Sequence, residues 1–177
     1  FGGVDIFIAN AGIEGVVKSI ADTAVEDFDR VMAVNVRGVW LGLKYAMPEI
    51  AGRGGGSIVI TSSVMGVGGG RNLAPYTTSK HAVIGLMRSA ALEGAPNNVR
   101  VNTVNPSPVE TRMMRSLEEG MAPGQGEMAH EATRQRIPLG RYAEPEDIAN
   151  VILFLASPEA EFLTGGVYMA DGGWSAS

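Results

Sequence analysis

Only one tyrosine of the chain is followed four positions later by a lysine, Tyr76 and Lys80, and the chain has just three lysines. At that spacing on a helix the two side chains share one face, one turn apart. A phenol ordinarily ionises near pH 10, and a neighbouring ammonium favours the phenolate. The expectation is therefore a tyrosine whose pKa Lys80 lowers, able to exchange a proton with an alcohol or carbonyl oxygen. The bland alternative is a solvated surface pair, and spacing alone does not overturn it. Ser63, thirteen residues upstream of Tyr76, carries a hydroxyl that could orient the same substrate oxygen. Asn35 interrupts an apolar helical face, so its amide must either brace backbone or hold a water.

These side chains need elements to hold them. Val4 to Ala9, Ser57 to Thr61, Val99 to Val104 and Val167 to Ala170 read as strands, rich in β-branched residues. Helical spacing runs from about Val25 to Ile50, from about Pro75 to Glu93, and onward from Glu144-Pro145-Glu146-Asp147. Proline and acidic residues in that last first turn are a helix-start signal. Strands alternating with helices predict an α/β fold, a parallel sheet covered on both faces with right-handed connections. Gly52 to Gly56 reads as a turn feeding the second strand, and Glu118 to Glu127 as a mobile insertion.

In an open parallel sheet, ligands bind at the carboxyl ends of the strands. Those ends carry Asn10-Ala11-Gly12, Ser62-Ser63 and Asn105-Pro106-Ser107-Pro108, which would gather small and polar residues on one edge. Turn residues occur at any strand end, so no single end decides the matter.

Composition excludes several classes. The chain has no cysteine, so disulfides, thiolate nucleophiles and cysteine-ligated metals are out. A formal net charge of -5 with scattered basic residues argues against nucleic acid as a partner. No apolar run approaches the length of a membrane span. His81 and His130 read as surface residues, far apart, and suggest no metal site.

Taken together, these residues resemble the short-chain dehydrogenase/reductase family of the compact single-domain type. Asn10-Ala11-Gly12 resembles its strand-end motif, and Asn35, Ser63, Tyr76 and Lys80 match its catalytic tetrad in order and spacing. Asn105-Pro106-Ser107-Pro108-Val109-Glu110-Thr111 resembles the segment that contacts the nicotinamide. Arg136 to Arg141, Glu144 to Asp147, and Thr164-Gly165-Gly166 through Asp171-Gly172-Gly173 resemble the family's C-terminal third. Ser107 stands where the family usually has glycine. The family's Thr-Gly-x-x-x-Gly-x-Gly phosphate turn is missing, and Gly66-Val67-Gly68-Gly69-Gly70 reads as flexible loop rather than its substitute.

The resemblance implies a Rossmann-like doubly wound sheet whose N-terminal strands are absent, residues 1–177 being the C-terminal two-thirds of one domain. Phe1 would mark a break inside that domain. It also implies NAD or NADP as cofactor. Tyr76 would be the acid/base, Lys80 would bind the nicotinamide ribose, and Ser63 would hold the substrate oxygen. Asn35 would keep a water in line with Lys80. Asn10, Ala11, Gly12, Pro106 and Ser107 would lie beside the cofactor, and Val109 and Thr111 would hold the carboxamide.

Met113, Met114, Leu117, Met121 and Met128 would shape the substrate wall, or else serve as core packing. With few charges expected there, the substrate would be a secondary alcohol or ketone of modest polarity, cyclic compounds included. The family also suggests a cytoplasmic homotetramer, with the helices near Val25 and Pro75 packed on symmetry mates. A second reading is a catalytically silent remnant that folds or oligomerises without cofactor, because the pyrophosphate would lack its helix N-terminus.

Overall fold

The computed structural model describes residues 2–176; Phe1, where the sequence reading places a break, lies outside them. Four strands, β1 (Ile6–Ala9), β2 (Gly56–Thr61), β3 (Val99–Pro106) and β4 (Val167–Ala170), form one sheet in the order β1-β2-β3-β4. Every neighbouring pair is parallel, with Ala9 beside Ile60, Ile60 beside Thr103, and Thr103 beside Val167. The expected doubly wound arrangement is present. β1 starts two residues later than expected, although Asp5 O still accepts from Ser57 N. β3 runs two residues further, to Pro106.

The sheet's alternation divides the core in two. Ala9, Ile58, Ile60, Val99 and Val101 face α2 (Gly38–Gly52) and α3 (Ala74–Gly94), contributing Leu43, Ile50, Val83 and Met87. Val59 and Val104 face the other way, onto Ile148 and Leu155 of α6 (Pro145–Ala156). Burying each such aliphatic side chain contributes about 1.5–3 kcal/mol. α2 closes onto β1 because Gly42 leaves room for Phe7: a Cβ there would lie 2.5 Å from the ring. The turn into β2 uses Gly54 and Gly55 at φ of +95° and +120°, conformations that glycine adopts without strain.

Two expectations are corrected. The β1–β2 and β2–β3 connections cross one face while the β3–β4 connection crosses the other, although strand order keeps advancing the same way. The third crossover therefore has the opposite hand to the first two, so the three are not all right-handed. Its path, residues 107–166, is far longer than the short strand–helix–strand unit in which twist dictates hand. It also supplies the apolar cover that the second face needs.

The supposed mobile insertion is helical as well. α4 (Arg112–Met121) and α5 (Gly126–Arg134) form a hairpin turning at Gly124, φ +73°. The glycines and proline between 120 and 126 break one helix and start another rather than making a long loop.

Candidate active site

The first helical stretch is one continuous rod with a π-helical turn, Ala33–Arg37, between α1 (Val25–Met32) and α2. Such wide turns often mark functional sites, and this one holds Asn35, 2% exposed. Asn35 Oδ1 accepts from Ile13 N at 2.8 Å, and its Nδ2 donates to Ile13 O at 2.8 Å and to Ser79 Oγ at 3.0 Å. Both amide hydrogens are committed. Through these bonds the side chain braces the backbone just beyond Asn10-Ala11-Gly12.

Ser79 passes the bracing on, donating to Tyr76 O at 2.7 Å. Tyr76 and Lys80 sit in the first turns of α3, whose start carries Pro75. The surface-pair reading fails, because Lys80 is 6% exposed. Its Nζ donates to Thr61 O, the last residue of β2, at 2.9 Å and lies 5.5 Å from the centre of the Tyr76 ring. Gly12 passes close by: a Cβ there would come within 3.3 Å of Asn35 Oδ1 and 3.6 Å of Lys80 Nζ.

Ser63 begins a short 3₁₀ turn, Val64–Gly66, its Oγ accepting from Met65 N at 3.1 Å. Asn105 at the end of β3 donates to Ser63 O at 2.8 Å, tying the two strand ends together. Gly66 is no flexible loop residue. A Cβ would meet Ser62 Oγ at 2.4 Å and Lys80 O at 2.9 Å, so only glycine lets this turn pack on α3. Pro106, Ser107, Val109 and Thr111 continue from the same strand end. Ser107 is buried without positive φ, Val109 bridges to Ala143, and Thr111 caps α4 through Met114 N.

Burial raises the Tyr76 phenol above its ordinary value, the nearby Ser63 hydroxyl opposes the shift, and the Glu14 carboxylate adds to it. The expected lowering by Lys80 is not what this structure gives. Desolvating a phenolate outweighs an ammonium that is itself turned toward Thr61 O. Burial lowers Lys80 to about 8, which still leaves it mostly protonated at neutral pH. Glu14 is a charged group close enough to act on Tyr76. Among the described residues it has no hydrogen-bond or ion-pair partner, and it follows directly on the clamped Ile13.

Leu117 is core, Met113 and Met114 are half-buried, and Met121 and Met128 are exposed. His81 is at the surface as expected, but His130 is not: it lies between Glu118 and Glu110, its side chain 17% exposed. Among the described residues no cluster could hold a metal ion. The sequence reading missed Ile13, Thr61 and Ser79, and named Asn105 only as part of a strand-end motif. Two act through backbone groups, which every residue has, while Ser79 and Asn105 carried only their closeness to Tyr76 and to a strand end as a signal.

The donor set suits a nicotinamide and its ribose. A buried ammonium with protons beyond the one given to Thr61 lies beside a strand end where Gly12 leaves the backbone bare. Residues 1–175 match the family model described as enoyl-(acyl carrier protein) reductase. Over 175 residues the chain is 37% identical to cyclohexanol dehydrogenase of Acinetobacter sp. (strain SE19), covering 99% of this chain and 65% of that protein. The chain thus spans about two thirds of that relative's length. The crystal structure of levodione reductase superposes with a TM-score of 0.98 at 36% identity, covering 100% of this chain and 69% of that one. NAD+-bound xylitol dehydrogenase gives 0.90 at 32% identity, covering 95% and 68%. The agreement of a whole-chain family match with close structural likeness leads to one conclusion: the chain belongs to the short-chain dehydrogenase/reductase family.

Proposed function

We propose that this chain carries the catalytic part of an NAD- or NADP-dependent oxidoreductase acting on a secondary alcohol or ketone, with Tyr76 as acid/base. The observation that carries this reading is the buried Lys80–Thr61 contact beside Tyr76, with Ser63 facing the phenol. Cyclohexanol dehydrogenase and xylitol dehydrogenase, both dehydrogenases of hydroxyl-bearing compounds by name, lend support. When bound, the nicotinamide supplies the two-electron redox chemistry.

The chain's own residues handle oxygen and proton. Ser63 Oγ donates to the substrate oxygen. Tyr76 takes the hydroxyl proton in alcohol oxidation and returns it in ketone reduction. Lys80 holds the ribose with the N–H groups that Thr61 leaves free, and its positive charge stabilises the phenolate once formed. Asn35 is a positioning residue, aligning Asn10 to Gly12 through Ile13 and Tyr76 through Ser79. Pro106, Ser107, Val109 and Thr111 form the cofactor's opposite border. A homotetramer is part of the proposal: Trp40, Met47 and Leu86 line an apolar groove between α2 and α3, remote from the tetrad. So is a cytoplasmic location; among the described residues no helix is long and apolar enough to cross a membrane.

Tyr76→Phe tests the reading in the intact protein. Loss of the general acid/base is expected to lower turnover by about 10²–10⁴ or more, with cofactor binding by calorimetry nearly unchanged. Undiminished activity in that variant rejects the assignment. A wild-type protein that binds no dinucleotide favours the silent remnant instead.

A further inference from the structure

The α4–α5 hairpin is poorly supplied with core. α5 has no buried residue, and α4 has only Leu117 and Glu118. A carboxylate as enclosed as Glu118, 1% exposed, survives only when paired and hydrogen-bonded. Its Oε1 accepts from Tyr142 Oη at 2.7 Å and faces His130 Nδ1 at 3.0 Å, while Oε2 accepts from Arg115 Nη1 at 3.0 Å. Arg115 also pairs with Glu110, and His130 Nε2 lies 3.6 Å from the same carboxylate. The His130 and Tyr142 rings pack at 4.2 Å between centres. Burial alone would raise Glu118, but its bonds from Tyr142, His130 and Arg115 outweigh that and keep its pKa low.

The cluster joins three pieces of chain. Arg115 and Glu118 lie on α4, His130 on α5, and Tyr142 just before Ala143, which accepts from Glu110 N at 2.9 Å and donates to Pro108 O at 3.0 Å. Glu118 is thus one residue away from the bridge that holds Val109.

We propose that Glu118 is a positioning residue that fastens the α4–α5 hairpin as a fixed wall beside residues 107–111, setting substrate affinity rather than the chemical step. The part about substrate rests on the function proposed above; the fastening does not. Hydrogen exchange in the intact protein separates the two, with Glu118→Leu, Glu118→Gln and Tyr142→Phe as variants. Glu118→Leu is expected to speed exchange of amides 126–134 by about tenfold or more while β2 and β3 stay protected. Steady-state kinetics should show KM for the alcohol up by about tenfold with kcat within about twofold.

Glu118→Gln keeps one acceptor oxygen, able to accept from Tyr142, but turns an amide NH2 toward Arg115. It should therefore recover only part of both. Tyr142→Phe, which removes one of the carboxylate's partners, should do less harm than Glu118→Leu. Unchanged exchange over 126–134, or equal acceleration in β2 and β3, overturns the proposal. A fall in kcat at constant KM overturns it too. If the wild type has no turnover, the exchange result alone decides the fastening, and it is the proposed function that fails.

Discussion

Asn35 and Ile13 hold each other through a closed pair of hydrogen bonds, Oδ1 to Ile13 N and Nδ2 to Ile13 O, both 2.8 Å. A side-chain amide here imitates a strand partner for a segment that belongs to no strand. Asn35→Ala leaves both Ile13 backbone groups without that partner. It should cost about 2 kcal/mol, since an unmade bond at a desolvated group costs about 1–3 kcal/mol. Urea unfolding measures this, and an unchanged midpoint would count against the brace.

Burial raises the Tyr76 pKa, and the Glu14 carboxylate adds to the rise. Alcohol oxidation needs the phenolate, so its rate should climb with pH as Tyr76 ionises. Removing the Glu14 charge favours the phenolate, and Glu14→Gln should therefore move that limb to lower pH. A limb that stays in place or moves upward in the pH–rate profile of kcat/KM contradicts the electrostatic coupling.

Lys80 has a folded pKa of about 8, against 10.5 for the exposed group. Below about pH 8 both folded and unfolded chains carry the proton, and the cost of burying the charge is fully present. Between about 8 and 10.5 the unfolded chain binds more protons, so stability rises with pH. The gain is at most about 3.5 kcal/mol, from about 1.4 kcal/mol per pKa unit. Lys80→Met removes the effect. Wild-type minus variant stability should climb across that window, and a flat difference in urea titrations would refute it.

Gly66→Ala places a Cβ 2.9 Å from Lys80 O, a backbone atom with little room to retreat. Overpacking of this kind costs about 1–3 kcal/mol, and the shift of α3 should also weaken cofactor binding through Lys80. Thermal melting and calorimetry check the two halves. Gly68→Ala, where the nearest atom is 3.4 Å away, is the control and should change little.

The strands were legible because short runs rich in β-branched apolar residues suit a pleated surface buried on both faces. β4 was located to the residue. The spacing of Tyr76 and Lys80 showed only that they share a helical face; the candidate tetrad was legible through the resemblance of Asn35, Ser63, Tyr76 and Lys80 to the family's motif. The hairpin at 112–134 was not: its glycines and proline read as loop, and its anchor is a carboxylate. No local pattern marks Glu118 as buried, since its partners come from residues 115, 130 and 142.

The amino-acid sequence by itself pointed to the layering, through its β-branched apolar runs and helical spacing, and to the family and its candidate site residues, through the resemblance of several motifs in register. The tertiary structure decided how those side chains behave. Burial drives the Tyr76 phenol up and Lys80 down, against the expectation from their proximity alone, because desolvation depends on everything packed around a group. Tertiary packing also decided that the Asn35 side chain braces Ile13, that Glu14 bears on Tyr76, and that the third crossover runs over the opposite face. Each depends on residues distant in sequence meeting in space, and spacing along the chain carries no record of that.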